Sequence, residues 1–99
     1  MVISKGSGPK PRPGQNIAAS YSGHLLDGSL FDSSSGRGPF EFKVGRGQVI
    51  KGWDEAFLDM RVGEKRALII PPDLAYGRTG AGGVIPPDAT LFFEVERLQ

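Results

Sequence analysis

The sequence predicts an α+β domain in which several antiparallel strands and one short helix share a single core. Polar and apolar residues alternate in separate stretches at residues 16–22, 40–44 and 91–96, which is the period of strands with one face buried. The period changes once, to that of a helix, between residues 51 and 60. The chain has 99 residues with 15 Gly and 8 Pro, so it is dense in turns, and at this length it buries roughly two thirds of its unfolded surface, enough for one core and no second domain. Residues 1–99 are therefore read as one domain, with residues 1–14 as an extended N-terminal arm.

That arm includes Lys5-Gly-Ser-Gly-Pro-Lys-Pro-Arg-Pro-Gly14, where glycine gives freedom and the alternating prolines favour extended, polyproline-like backbone. It is read as a lead-in with no function. Next, Ile17, Ala19 and Tyr21 alternate with Asn16, Ala18, Ser20 and Ser22 up to Gly23, which reads as the end of a strand. Asp27-Gly28 is a strong reversal signal ahead of Leu30-Phe31, and residues 33–38 form a polar loop. Phe40, Phe42 and Val44 alternate with Glu41 and Lys43, and Gly45 and Gly47 close that strand.

Trp53, Phe57 and Met60 stand at i, i+4 and i+7, so residues 51–60 read as a helix with one apolar stripe and with Asp54, Glu55 and Asp59 turned to water. Gly63 marks its end. Leu68-Ile69-Ile70 reads as a central strand stopped by Pro71-Pro72, because proline has no N–H to give a ladder. Residues 73–89 form a long loop with an unusual apolar load in Leu74, Tyr76, Val84 and Ile85. The last strand spans residues 90–98, with Leu91, Phe93 and Val95 on one face and Glu94 and Glu96 on the other.

Composition excludes several kinds of chemistry. Twelve Lys+Arg against 11 Asp+Glu leave a formal charge of +1, and the charges are scattered, which disfavours electrostatic binding to nucleic acid or an anionic membrane. The chain has no Cys and one His, so disulfides, thiol nucleophiles and His- or Cys-rich metal sites are excluded. No apolar run approaches the ~20 residues of a membrane-spanning helix. The expectation is a monomer without metal or cofactor, in the cytoplasm or, if a targeting segment has been removed, in an organelle.

Catalytic motifs are equally sparse. His24, with Ser20 and Ser22 near it, forms no nucleophile elbow or triad signature. Gly45-Arg-Gly47 and Gly80-Ala-Gly-Gly83 fit neither a P-loop nor a dinucleotide fingerprint. Most acids read as solvent-facing, and Asp32, which follows Phe31 directly, reads by itself as a turn or capping residue.

The company Asp32 keeps changes its meaning. Tyr21-Ser-Gly23, Asp27-Gly28 with Phe31-Asp-Ser-Ser34, Val49-Ile-Lys-Gly-Trp-Asp54, Ala75-Tyr-Gly77 and Ile85-Pro-Pro87 with Ala89-Thr-Leu91 are, in this order and spacing, similar to the FKBP-type peptidyl-prolyl isomerases, the tacrolimus-binding immunophilins. The resemblance runs from about Gly14 to Leu98. It implies a strongly twisted antiparallel sheet wrapped around the short helix, with an aromatic pocket between them. It also implies Trp53 as the pocket floor, Tyr21, Phe40, Val49, Ile50 and Phe93 as walls, Phe31 and Asp32 on one side, and Tyr76, Val84 and Ile85 reaching in from the long loop. By the same resemblance the Ile50 N–H and the Tyr76 hydroxyl hold ligand carbonyls, while Asp32 faces the proline-like part of the ligand. Phe42, Phe57, Met60, Leu68, Ile70 and Val95 keep the reading of core.

The activity so implied is cis/trans isomerisation of X-Pro bonds in peptide or protein clients during folding, together with binding of macrolides such as tacrolimus and rapamycin. The barrier to that rotation is ~18–20 kcal/mol and arises from amide resonance, so no nucleophile, metal or cofactor is required. Two rival readings are a non-catalytic binding module for proline peptides or macrolides, and a small barrel that binds nucleic acid. Retention of Tyr21, Phe31, Asp32, Trp53 and Tyr76 together argues against the first. The interruption of Lys43, Arg46, Lys51, Lys65 and Arg66 by acids argues against the second.

Overall fold

A computed structural model describes all 99 residues. In chain order the elements are β1 (Val2–Ser4), β2 (Asn16–Leu25), β3 (Leu30–Ser33), β4 (Phe40–Lys43), α1 (Lys51–Leu58), β5 (Lys65–Ile70), a 3₁₀ turn (Pro72–Leu74) and β6 (Leu91–Arg97). They build one antiparallel sheet in the order β1-β5-β6-β2-β3, with β4 paired to the first half of β2. The helix packs across the concave face.

β2 is the spine. One edge pairs with β6 from Ala19 to Leu25, and the other is shared by β4, opposite Asn16 to Ala19, and β3, opposite Ser22 to His24. Gly23 does not end this strand, because pairing continues through it to Leu25. Its lack of a side chain serves packing instead: a Cβ there would lie 2.7 Å from both Phe31 Cζ and Phe93 Cε1. The two rings therefore meet edge to face across the strand, 5.5 Å apart. Glycine inside a strand commonly marks such a close approach.

α1 ends at Leu58, two residues before the stretch with helical periodicity does, and Met60 is nonetheless fully buried beyond its end. Gly52 lets the helix lie close on β5, since a Cβ at that position would fall 2.7 Å from Ile70 Cγ2. Phe42, Val44, Phe57 and Met60 from β4 and the helical region meet Ile17 of β2 and Val95 of β6 in the closed core. Burial of each large side chain is worth roughly 1.5–3 kcal/mol. Leu68, expected in the core, is only half-buried at its edge.

Charge also enters the interior. Arg97 continues the inward face of β6 past Val95 and is 2% exposed, donating from Nη1 to the Met60 carbonyl at 2.9 Å. Glu64 is 5% exposed; it accepts from the Arg61 N–H at 3.1 Å and pairs with Arg66 Nε at 2.5 Å. These partners satisfy charges whose burial would otherwise be costly.

The N-terminal stretch is tied down at several points. Val2 and Ser4 pair with Arg66 and Lys65 of β5, Lys10 Nζ donates to Asp59 at 2.6 Å, Pro11 is buried, and the Gly14 N–H donates to the Val44 carbonyl at 2.7 Å. No helix is long and apolar enough to cross a membrane.

Candidate active site

Beside the closed core, between α1 and the concave sheet, lies a cavity of about 210 Å³. Its floor is Trp53, placed by the first turn of α1. The indole meets Phe93 of β6 at 5.4 Å and Tyr21 of β2 at 4.9 Å, both nearly perpendicular. Phe40 of β4 closes a third side at 6.1 Å, and Phe31 of β3 lines the cavity beside Phe93. Edge-to-face packing of this kind suits the ring quadrupoles.

The loop between β4 and α1 supplies the remaining wall through Gln48, Val49 and Ile50. Its course depends on Asp54, whose carboxylate accepts the backbone N–H of Gly45 at 2.9 Å and of Gly47 at 3.0 Å. Asp54 is thus not turned to water as its place on the helix suggests. Both glycines have left-handed backbone, with φ of +76° and +72°, where a side chain would be strained. Gln48 Oε1 accepts the Lys43 N–H at 2.9 Å. The Ile50 N–H at the helix start has no acceptor within the chain.

One rim is polar. The Tyr21 hydroxyl donates to Asp32 Oδ2 at 2.8 Å, and Asp32 Oδ1 accepts from the Ser33 N–H at 2.8 Å and from Arg37 Nη2 at 2.7 Å. Arg37 Nη2 also donates to the Tyr21 oxygen at 3.1 Å. The carboxylate is therefore oriented before any ligand arrives. Burial, followed by the hydrogen bond to Asp32 and its negative charge, pushes the Tyr21 phenol above its ordinary value. Burial and then the Asp32 charge do the same for Tyr76. Both hydroxyls keep their protons at neutral pH and can donate.

Of the residues expected at the site, Tyr21, Phe31, Asp32, Phe40, Val49, Ile50, Trp53, Tyr76 and Phe93 line this one cavity. Val84 and Ile85 do not. The segment from Ala81 to Ile85 folds back on itself, which turns Ile85 into the core at 6% exposure and leaves Val84 projecting into solvent. Trp53 and Phe93 are wall and core at once, at 5% and 3% exposure, so the division between those two readings is not sharp. Sequence reasoning missed Gln48, although it directly precedes Val49. It also missed Arg37, which carries no periodic signal and reaches the site only through the turn after β3.

The sequence profile of the FKBP-type peptidyl-prolyl cis-trans isomerases matches residues 8–98. The chain is 56% identical over 96 residues to FK506-binding protein 1 of Dictyostelium discoideum, covering 96% of this chain and 90% of that protein. It is 57% identical over 88 residues to FK506-binding protein 2 of Yarrowia lipolytica, covering 88% of this chain and 61% of that longer protein. The crystal structure of AtFKBP13 superposes with a TM-score of 0.95 at 43% identity, over 100% of this chain and 89% of that one. Fold, motifs and relatives agree, and the chain belongs to the FKBP-type peptidyl-prolyl cis-trans isomerases.

Proposed function

We propose that the Trp53 cavity is where this isomerase acts: it takes the prolyl ring of an X-Pro segment and lowers the barrier to rotation of the bond before it. The observation that carries the proposal is an aromatic chamber of about 210 Å³, floored by an indole and edged by a pre-oriented carboxylate and unused donors. As the amide twists, resonance is lost, the carbonyl becomes less polar and the nitrogen regains its lone pair. Surroundings that solvate the planar dipole poorly then favour the twisted state over the ground state. A thousandfold acceleration corresponds to about 4 kcal/mol.

In this reading Trp53, Phe93, Phe31 and Phe40 hold the ring, and the Ile50 N–H and Tyr76 hydroxyl receive carbonyls of the bound segment. Tyr21 fixes the Asp32 carboxylate over the rotating bond, and Val49 shapes the wall. Val84 and Ile85 enter only through longer ligands that run along the loop. The same cavity is proposed to take tacrolimus- and rapamycin-type macrolides, as the names of the FK506-binding relatives suggest. Residues 1–99 are proposed to act as one monomeric unit.

The test follows cis/trans exchange of a Leu-Pro peptide by NMR, with and without stoichiometric tacrolimus. Acceleration abolished by the drug is the expected result. Drug binding without acceleration would replace the enzyme reading by that of a binding module, and acceleration untouched by bound drug would move the reaction to another site.

A further inference from the structure

The convex face of the sheet, turned away from the cavity, is ordered by its register. Leu30 pairs with His24, His24 with Phe92, and Phe92 with Ile69. Residues directly opposite in antiparallel strands point to the same face, so these side chains form one row across β3, β2, β6 and β5. At strand spacing the row spans about 14 Å. Leu26 directly follows β2, and a shallow groove of about 430 Å³ runs along Leu26, His24, Phe92 and Ile69. Leu26 and Ile69 are 72% and 73% exposed.

Two residues along β6 the chemistry changes. Glu94 lies between Ser22 and Ala67, and Glu96 lies between Ser20 and Lys65. Neither glutamate forms an ion pair, although Lys65 is opposite Glu96. A second groove of about 260 Å³ runs beside them, edged by Ser20, Ser22, Ser34 and Lys65. The carboxylates are about 7 Å apart along the strand, the repeat of same-face residues. An apolar groove thus lies next along β6 to a hydroxyl-lined one holding two acids against a single lysine.

We propose that this convex face is a docking surface for an amphipathic segment of a partner protein, with aliphatic or aromatic side chains at one end and a pair of Lys or Arg at the other. The apolar residues cover Leu26, Phe92 and Ile69, and the cations reach Glu94 and Glu96. Charge complementarity selects this occupant over a second copy of the chain, because two facing copies would bring four glutamates against two lysines. The surface is separate from the catalytic cavity while sharing its strands: Leu30 and Phe92 face outward where their neighbours Phe31 and Phe93 face in. An alternation of period two places a docking face and a reaction face back to back.

The test titrates ¹⁵N-labelled protein with a proline-free peptide of Leu-Phe-Leu followed by Ser-Lys-Ser-Lys, and with its counterpart carrying Glu in place of Lys. Saturable shifts at the amides of Ser22, His24, Ile69, Phe92 and Glu94 are expected with the first peptide only. The double variant Glu94→Lys/Glu96→Lys should weaken that binding at least tenfold and reverse the preference, and Ile69→Ser should weaken binding of the lysine peptide while leaving prolyl exchange unchanged. Absence of these shifts, equal shifts with the acidic peptide, or persistence of binding in the charge-reversed variant would overturn the proposal. Concentration-dependent shifts of the same amides without peptide would also overturn it, in favour of self-association.

Discussion

Trp53 and Phe57 are one helical turn apart on the same stripe of α1, and Phe40 and Phe42 are neighbours on the same face of β4, yet each pair straddles two different environments. Phe42 and Phe57 pack edge to face at 5.4 Å and are sealed by Ile17, Val44 and Met60. Phe40 and Trp53 meet at 6.1 Å with the cavity between them and the loops, and Phe40 remains 39% exposed. Residue type and period are the same at both ends of this aromatic column. What differs is the lid: side chains at one end, and at the other backbone held away by the Asp54 clamp and by the fold of residues 75–88. The cavity is a core left unfinished on one side.

That contrast breaks most visibly if both ends are emptied. Phe57→Ala should cost about 3–5 kcal/mol in denaturant unfolding, as expected for a large buried aromatic, while per-molecule turnover of the folded fraction stays close to that of the parent. Trp53→Leu should reverse the balance, with a smaller loss of stability and a fall in kcat/KM of about a hundredfold, equivalent to ~2.7 kcal/mol. Equal losses of turnover in the two variants would erase the distinction between the ends.

Smaller changes sharpen it. Asp54→Ala removes the charged acceptor of two backbone donors and should cost about 1.5–3 kcal/mol, with a raised KM because Val49 and Ile50 lose their anchorage. Gly23→Ala should cost about 1–3 kcal/mol through overpacking, and its turnover should fall more than its stability, since Phe31 and Phe93 are the groups displaced.

Titration gives the smallest effects. The chain has 2 Tyr, and both are held above their usual value of 10.0, chiefly by burial. A phenol whose pKa is raised by folding contributes stability that is complete below pH 10 and is lost as pH rises through the folded value. Tyrosinate absorbance should therefore appear later in native than in urea-unfolded protein. On the far side of the molecule, Asp59 is lowered from 3.8 to about 2 by its hydrogen bonds from Lys10 and Arg66. Its contribution is present above about pH 4 and is lost as pH falls towards 2, so proteolysis of the N-terminal stretch should quicken over that window and become insensitive to it in Asp59→Asn.

Much of this was legible beforehand because it rests on local pattern. The alternation in β4 and β6, the helical spacing of Trp53 and Phe57, and the Asp27-Gly28 reversal are short-range signals, and most of the expected site residues line the cavity. The misreadings share a cause. Gly23 looked like a terminator because nothing nearby in sequence shows that Phe93, 70 residues on in the chain, crosses above it. Asp54 looked solvated because its partners lie on a preceding loop.

The sequence by itself determined which residues are apolar, at which period, and where the chain must turn, since hydrophobic burial and backbone sterics act through neighbours along the chain. Only the tertiary structure decided which end of the aromatic column stays open, which carboxylate clamps a loop, and that Arg37 reaches Asp32. Those outcomes depend on groups brought together across long separations, where distance and direction in space, and not spacing in the chain, set the energy.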